Sequence, residues 1–271
     1  MQSHYTKLFP ATLAASLVLV ALAGVAAAGP YEDGVAAYFR GDYPTALRLI
    51  RPFADQGMAA AQNNVGFMYY SGQGVSQDYD EAMKWYRLAA KQGNAAAQVN
   101  LGFMYYNGHG VSQDYAEAMK WYRLAAEQGY VQAQHDIGVL YLQGHGVSQD
   151  YAEAMKWFHL AADQGHAAAQ YNVGLMYYNG HGVSQDYAEA AKWFSLAAEQ
   201  GYALAQNNLG SLFIMGRGVP KDFVQAHMWL GLSATQGNQD ATENLERVER
   251  NMTPAQIAEA QKLARNWKPR R

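Results

Sequence analysis

The chain has 271 residues with no Cys, 26 Gly and 6 Trp, and its 20 basic side chains stand against 23 acidic ones. Absent Cys excludes disulfides, thiolate metal centres and a cysteine nucleophile, and a net charge of −3 argues against nucleic acid as a partner, because phosphate binding needs a concentrated basic surface. A composition that is 50% hydrophobic and 16% charged belongs to a folded chain, yet the glycine count is high for one that otherwise reads as helical.

Residues 1–28 read as a signal peptide. Lys7 is their only charge, Leu17 to Leu22 form an apolar run, and Ala26-Ala27-Ala28 before Gly29-Pro30 fits a small-x-small cleavage site. An uncleaved membrane anchor is the alternative, since the uncharged stretch from Ala11 to Ala28 comes close to spanning a bilayer. No later stretch is comparably apolar, so the mature chain is expected to be soluble, in the periplasm or secreted, and monomeric.

Beyond the leader the chain repeats itself. Trp85, Trp121, Trp157, Trp193 and Trp229 are spaced thirty-six residues apart, and so are Gly66, Gly102, Gly138, Gly174 and Gly210. The pairs Gly72-x-Gly74, Gly108-x-Gly110, Gly144-x-Gly146, Gly180-x-Gly182 and Gly216-x-Gly218 keep the same step, as does the series from Gly93 to Gly237. The resulting organisation is a partial repeat over 31–58, five units over 59–94, 95–130, 131–166, 167–202 and 203–238, and capping helices over 239–271.

In the first full unit, Ala59 to Ser71 is predicted as helix A, with Ala61, Val65, Met68 and Tyr69 on one buried face. Gly72 ends it by accepting a left-handed backbone. Asp78 then opens helix B as N-cap, with Glu81 placed to complete a capping box. Along helix B, Asp80, Lys84, Arg87 and Lys91 form one polar stripe on an otherwise apolar helix, which implies burial between neighbouring units. Gly66, inside helix A, costs about 1 kcal/mol relative to Ala, so a glycine there in every unit signals close packing of A on B. At the C-terminus, Thr253-Pro254-Ala255-Gln256 opens a last helix. Its residues Ile257, Ala260, Ala264 and Trp267 face the final unit, and Lys268-Pro269-Arg270-Arg271 is expected to fray.

The consensus carried by Ala97, Leu101, Gly102, Tyr105, Gly108, Gly110, Val111, Asp114, Ala118, Trp121, Tyr122, Ala125, Ala126 and Gly129 resembles the Sel1-like repeat, a relative of the tetratricopeptide repeat. The tail from Arg250 to Trp267 is similar to ends found on bacterial secreted members. The resemblance implies an all-α fold, an αα-superhelix built as a right-handed solenoid of helix-loop-helix repeats. It also implies a non-catalytic protein-interaction scaffold of the cell envelope.

The same resemblance places the A helices on a concave groove. The lining expected there comprises Asn63, Asn64, Phe67 and Tyr70 from the first unit and Asn100, Phe103 and Tyr106 from the second. Later units add His135 and Asp136, then Tyr171, Asn172 and Tyr178, and finally Asn208. Two readings of the Asn64, Asn100, Asp136, Asn172, Asn208 row are open: amides pairing with the backbone of an extended peptide, or amides bonding a neighbouring helix. Aromatic rings in the groove suit apolar anchors of a protein or peptide partner, or the faces of an envelope polysaccharide.

No cofactor, metal or catalytic residue is expected. His109, His145 and His181 share one loop position, but successive units lie about 8–10 Å apart, whereas ligands of one zinc sit about 2 Å from the metal. A β-lactam-binding or β-lactam-hydrolysing function, attached to some secreted relatives, stands as an alternative. Those relatives are cysteine-rich, and this chain is not.

Overall fold

The computed structural model describes residues 29–270, so the expected leader over 1–28 lies outside the described residues. Fourteen α-helices and no strand occur among them. Their contacts fall into two compact units, one ending at Ala133 and the other beginning at Gln134.

The first unit opens with the shortened hairpin of α1 (Pro30–Phe39) and α2 (Tyr43–Asp55). The A–B hairpin α3 (Ala59–Ser71) and α4 (Tyr79–Lys91) follows, then α5 (Ala95–Asn107) and α6 (Tyr115–Glu127), and each helix from α1 to α5 packs on the next in sequence. Helix α7 (Val131–Gln143) begins within this unit and ends in the second. There α8 (Tyr151–Ala162), α9 (Ala167–Asn179), α10 (Tyr187–Glu199), α11 (Ala203–Met215), α12 (Phe223–Thr235) and α13 (Gln239–Glu249) pack consecutively in the same way. The last helix, α14 (Pro254–Asn266), departs from that order and lies against α12. This is an all-α helical repeat solenoid, in which each hairpin buries on its neighbours the apolar surface it cannot cover alone.

The helix boundaries follow from capping. Asp78, Asp114, Asp150, Asp186 and Asp222 each accept two backbone N–H groups from the first turn of helix B. The expected reciprocal bond from Glu81 is replaced by an ion pair, because Lys84 one turn on takes its carboxylate at 2.6 Å. Lys120 does the same to Glu117 at 2.5 Å, and Lys156–Glu153 and Lys192–Glu189 repeat the pair. A complete capping box occurs at Thr253 and Gln256 in α14.

The in-helix glycines form notches for rings. A Cβ on Gly102 would stand 2.5 Å from Tyr122, and one on Gly138 or Gly174 would stand 2.6 Å from Phe158 or Phe194. Helix B thus lays a fully buried aromatic side chain across helix A where A has no side chain. The second glycine of four Gly-x-Gly pairs, Gly74, Gly110, Gly182 and Gly218, has a different task. Gly182 holds φ at +71°, and a Cβ there would meet the carbonyl oxygen of Tyr151, one repeat earlier, at 2.7 Å.

Two expectations are corrected. Leu88, Leu124, Leu160 and Leu196 on the B helices are 45%, 45%, 50% and 44% exposed, so the wet stripe is wider than the charges alone mark. The C-terminal tail is tied down rather than frayed: Arg270 donates its backbone N–H to the Glu199 carbonyl at 2.8 Å and its guanidinium to the Glu199 carboxylate at 2.6 Å. A cation at the end of α10 complements the helix dipole there.

Two substitutions test the notch. Gly102→Ala forces a methyl into the Tyr122 ring and should cost about 1–3 kcal/mol. Gly231 lies inside α12 with nothing within 4 Å of its Cβ position, so Gly231→Ala should stabilise by about 0.4–1 kcal/mol. Urea titrations that move both midpoints in the same direction would contradict this account. The Tyr86 hydroxyl is buried without a hydrogen-bond partner, and Phe158 and Phe194 fill the equivalent place, so Tyr86→Phe should raise the midpoint by the equivalent of about 1 kcal/mol.

Candidate functional site

The A helices carry the expected site, and the structure divides its residues into two groups. Asn63, Asn64, Asn100, His135, Tyr171 and Asn172 are all buried, between 4% and 8% exposed. In the first unit Asn100 donates from Nδ2 to Asn63 Oδ1 at 2.9 Å, and Asn64 donates to the Tyr31 hydroxyl at 3.1 Å. In the second, Asn172 Nδ2 lies 3.1 Å from His135 Nε2, and Asn244 repeats the geometry by donating to Asn207 Oδ1 at 3.1 Å. The placement of these six residues on an open lining is therefore corrected. A position off the hairpin core still faces the next A helix, and there the amides bond one another across the seam between repeats.

A buried amide would leave an unsatisfied donor if its partner moved away, which costs about 1–3 kcal/mol. The seam is consequently a stabilising element. Asn208 is partly exposed and accepts from Asn207 at 3.5 Å, and Asp136 accepts from His135 Nδ1 at 3.0 Å.

A second set of seam residues escaped sequence reasoning. Gln62, Gln98, Gln134, Gln170 and Gln206 are buried in the A helices. Gln62 donates to the Ala54 carbonyl at the end of α2 and accepts from Gln92 at the end of α4, at 3.2 and 2.8 Å. Gln98 and Gln128 repeat this in the first unit, and Gln170 with Gln200 and Gln206 with Gln236 in the second. Their signal was a Gln at the same place in every A helix, at each thirty-sixth residue from Gln62 to Gln206.

The other aromatic members of the expected site, Phe67, Tyr70, Phe103, Tyr106 and Tyr178, remain half-buried. Tyr70 centres a cluster in the first unit: its ring lies 5.1 Å from Tyr79 and 6.0 Å from Phe103, and its hydroxyl bonds His109 Nδ1 at 2.8 Å. Burial, with Tyr79 beside it, pushes the Tyr70 phenol up to about 12, so it serves as a neutral hydrogen-bonding group rather than a base. Phe67 packs against Tyr38 at 6.3 Å, Tyr106 against Tyr115 at 5.1 Å, and in the second unit Tyr178 against Tyr187 at 5.3 Å.

Two of the shared loop histidines, His109 and His181, are stacking elements. His109 lies flat on Tyr79 at 4.9 Å, and His181 on Tyr151 at 4.6 Å; where the loop has Arg217 instead, its guanidinium covers Tyr187 at 5.1 Å. Among the described residues no group of three or more His, Asp or Glu side chains could hold a metal ion. No helix among them is long and apolar enough to cross a membrane.

Of the five A helices only α7 carries acidic or basic residues, His135 and Asp136. The repeat-bearing charges lie on the B helices and loops. The faces of α3, α5, α9 and α11 can take apolar or neutral hydrogen-bonding groups, and they offer nothing to compensate a charged ligand.

Five consecutive stretches, residues 59–94, 95–130, 131–166, 167–202 and 203–238, match the Sel1 repeat. These helical hairpins define a Sel1 repeat protein, and the chain belongs to that family. It is 34% identical to a Sel1 repeat protein from Oxalobacter formigenes, with 88% of this chain and 97% of that one covered at a TM-score of 0.75. It is similar in fold to an immunity protein from Pseudomonas aeruginosa, at 20% identity, 80% and 85% coverage and a TM-score of 0.56. A putative Sel1 repeat protein from Klebsiella pneumoniae is 25% identical over 74% of this chain and 97% of its own, at a TM-score of 0.48. No curated protein matches the chain.

One seam is titratable. His166 caps α9 by accepting the Ala169 N–H on Nδ1 at 3.2 Å, and its ring lies 4.9 Å from His135, beside Asp136. Burial, reinforced by His135 and opposed by Asp136, pushes His166 down to about 4 from an ordinary 6.5. The unfolded chain therefore binds this proton first. Stability is present above pH 6.5 and is lost as pH falls toward 4, by up to about 3 kcal/mol. Asn94 and Asn238 occupy the same capping position, so His166→Asn should keep the cap and flatten this acid dependence. Urea midpoints falling equally for both proteins between pH 7.5 and pH 4.5 would contradict it (about three pH units, spanning the shift).

Proposed function

We propose that the chain is a non-catalytic scaffold of the cell envelope that captures a protein or peptide segment on its A helices. The Sel1 repeat is a protein-interaction scaffold type, and the observation that supports this finer reading is the aromatic face of α3 and α5, two helices without a charged side chain. In the first unit Phe67, Tyr70, Phe103 and Tyr106 supply the contact surface, and Tyr178 supplies its counterpart in the second. The buried glutamines Gln62 and Gln98 hold these helices in register and, being buried, do not meet the ligand. A partner segment rich in uncharged apolar side chains suits this lining, because its anchors bury area without desolvating a charge. Residues 1–28, read as a signal peptide, support a periplasmic or secreted location.

Photo-crosslinking from position 106 in the native envelope, followed by mass spectrometry, should recover a protein segment. Phe103→Ser with Tyr106→Ser should retain the melting curve and lose most of that recovery. Binding to the recovered segment should change little between about 0.05 and 0.5 M salt, because no ion pair contributes. Undiminished recovery by the double variant would overturn the site, and recovery of polysaccharide alone would reassign the ligand to neutral glycan.

A further inference from the structure

The C-terminal segment shows what the outer face of a B helix binds. Trp267 sets its ring edge-on to Trp229 of α12, with centroids 6.2 Å apart, and its Cη2 stands 3.6 Å from the Cβ position of Gly201. Three residues on, Arg270 bonds both the carbonyl and the carboxylate of Glu199. Trp229, Gly201 and Glu199 thus form a socket for an aromatic-x-x-Arg segment at the end of an amphipathic helix.

The same three positions recur one repeat earlier within the same unit, as Trp193, Gly165 and Asp163. A Cβ on Gly165 would meet nothing within 4 Å. Asp163 is exposed at the C-terminal end of α8, and its carboxylate makes no ion pair or hydrogen bond among the described residues. Trp193 is half-buried, and His159 touches its edge at 5.2 Å. Leu160 and Leu196, 50% and 44% exposed, extend the apolar surface beside it. In the filled socket the place of His159 is held by Ser195, whose hydroxyl turns back onto the Ala191 carbonyl at 2.7 Å.

We propose that Asp163, Gly165 and Trp193 form a second docking socket, independent of the A-helix face, for a partner's amphipathic helix that ends in aromatic-x-x-Arg. The aromatic ring covers Gly165 and Trp193, and the guanidinium pairs with Asp163, where the end of the α8 dipole also favours a cation. The socket continues the interface that α14 already makes with α12. Charge and cover restrict it: in the first unit Trp121 and Gly93 are accompanied by Lys91, which repels an arginine, and at Trp85, Gly57 and Asp55 the chain's own Arg51 already pairs with Asp55 at 3.2 Å and covers the Trp85 ring at 4.9 Å.

The test is fluorescence-anisotropy titration of a labelled peptide of residues 253–270 into the full chain. Saturable one-to-one binding is expected, weakened at least about tenfold (1.4 kcal/mol) by Asp163→Arg, whose unchanged circular dichroism and melting curve would show an intact fold. Replacing the peptide's tryptophan by alanine should weaken binding similarly. A peptide with Arg270→Glu should recover affinity for the Asp163→Arg chain, and His159→Ser should strengthen binding of the original peptide. Absence of binding would overturn the proposal. So would binding that Glu199→Ala abolishes while Asp163→Arg leaves it untouched, because the peptide would then be exchanging with the resident α14. Dimers of the unliganded chain that dissociate on Asp163→Arg would assign the socket to a second copy and overturn the separate partner.

Discussion

The buried glutamine of each A helix is the constraint on which the stack depends. Gln62 reaches the last carbonyls of α2 and is itself held by Gln92 from the end of α4, so one amide binds three consecutive helices. A buried amide in water-free surroundings tolerates no missing partner. Within each compact unit a repeat bonded in this way requires its predecessor in one register, and slippage by a helical turn would strand both donor and acceptor. Apolar packing between the hairpins supplies most of the favourable energy but is permissive of small shifts. The paired amides supply the registration, which explains why polar side chains occupy positions an apolar residue could fill. The shortened hairpin α1–α2 is needed for the same reason: it presents the Ala54 carbonyl that the first full repeat must bond.

Much of this architecture was legible because repetition turns single-residue signals into series. One glycine inside a helix is ambiguous, whereas five at the same step, each opposite an aromatic or Leu in helix B, identify a notch. Helix A was readable as Ala59–Ser71 because the glycine after it and the aspartate before helix B are both capping signals with a direct backbone cause. Gly165 and Gly201 show the limit of such reading. They occupy one position in the repeat, yet one faces open space and the other a tryptophan ring, a difference made by α14 from outside the periodic pattern.

The site was less legible, for a geometric reason. A helix in a stack meets its own hairpin partner on one side and the next repeat on another, and sequence periodicity resolves the first contact better than the second. Asn64 and Asn100 lie off the hairpin core, which admits both solvent and the seam. Their short side chains reach only the adjacent A helix, and there they bond. The longer rings of Tyr70 and Tyr106 lie one turn or more further along, near the loops, and stay half-exposed. Glu81 went astray for a different reason, since a lysine one turn later competes for its carboxylate and offers a full charge in place of a backbone dipole.

Variation within so regular a lattice marks where repeats differ in what they can contact. The seam position Asn63, Val99, His135, Tyr171, Asn207 changes polarity and size while the glutamines beside it stay fixed, so register does not depend on it. The outer position Lys91, Glu127, Asp163, Glu199 changes sign along the chain, although its helices keep the same Lys–Glu pair two to three turns earlier. At Glu199 that sign is used, because Arg270 closes on it. The substitution of Ser195 for the larger residues at its equivalents, Arg87, Arg123 and His159, opens the Trp229 ring that Trp267 covers. Two changes at otherwise regular positions, one in charge and one in size, thus convert a repeating surface into a specific contact. Such local departures give an identical set of hairpins distinct neighbours without disturbing the seam that holds them.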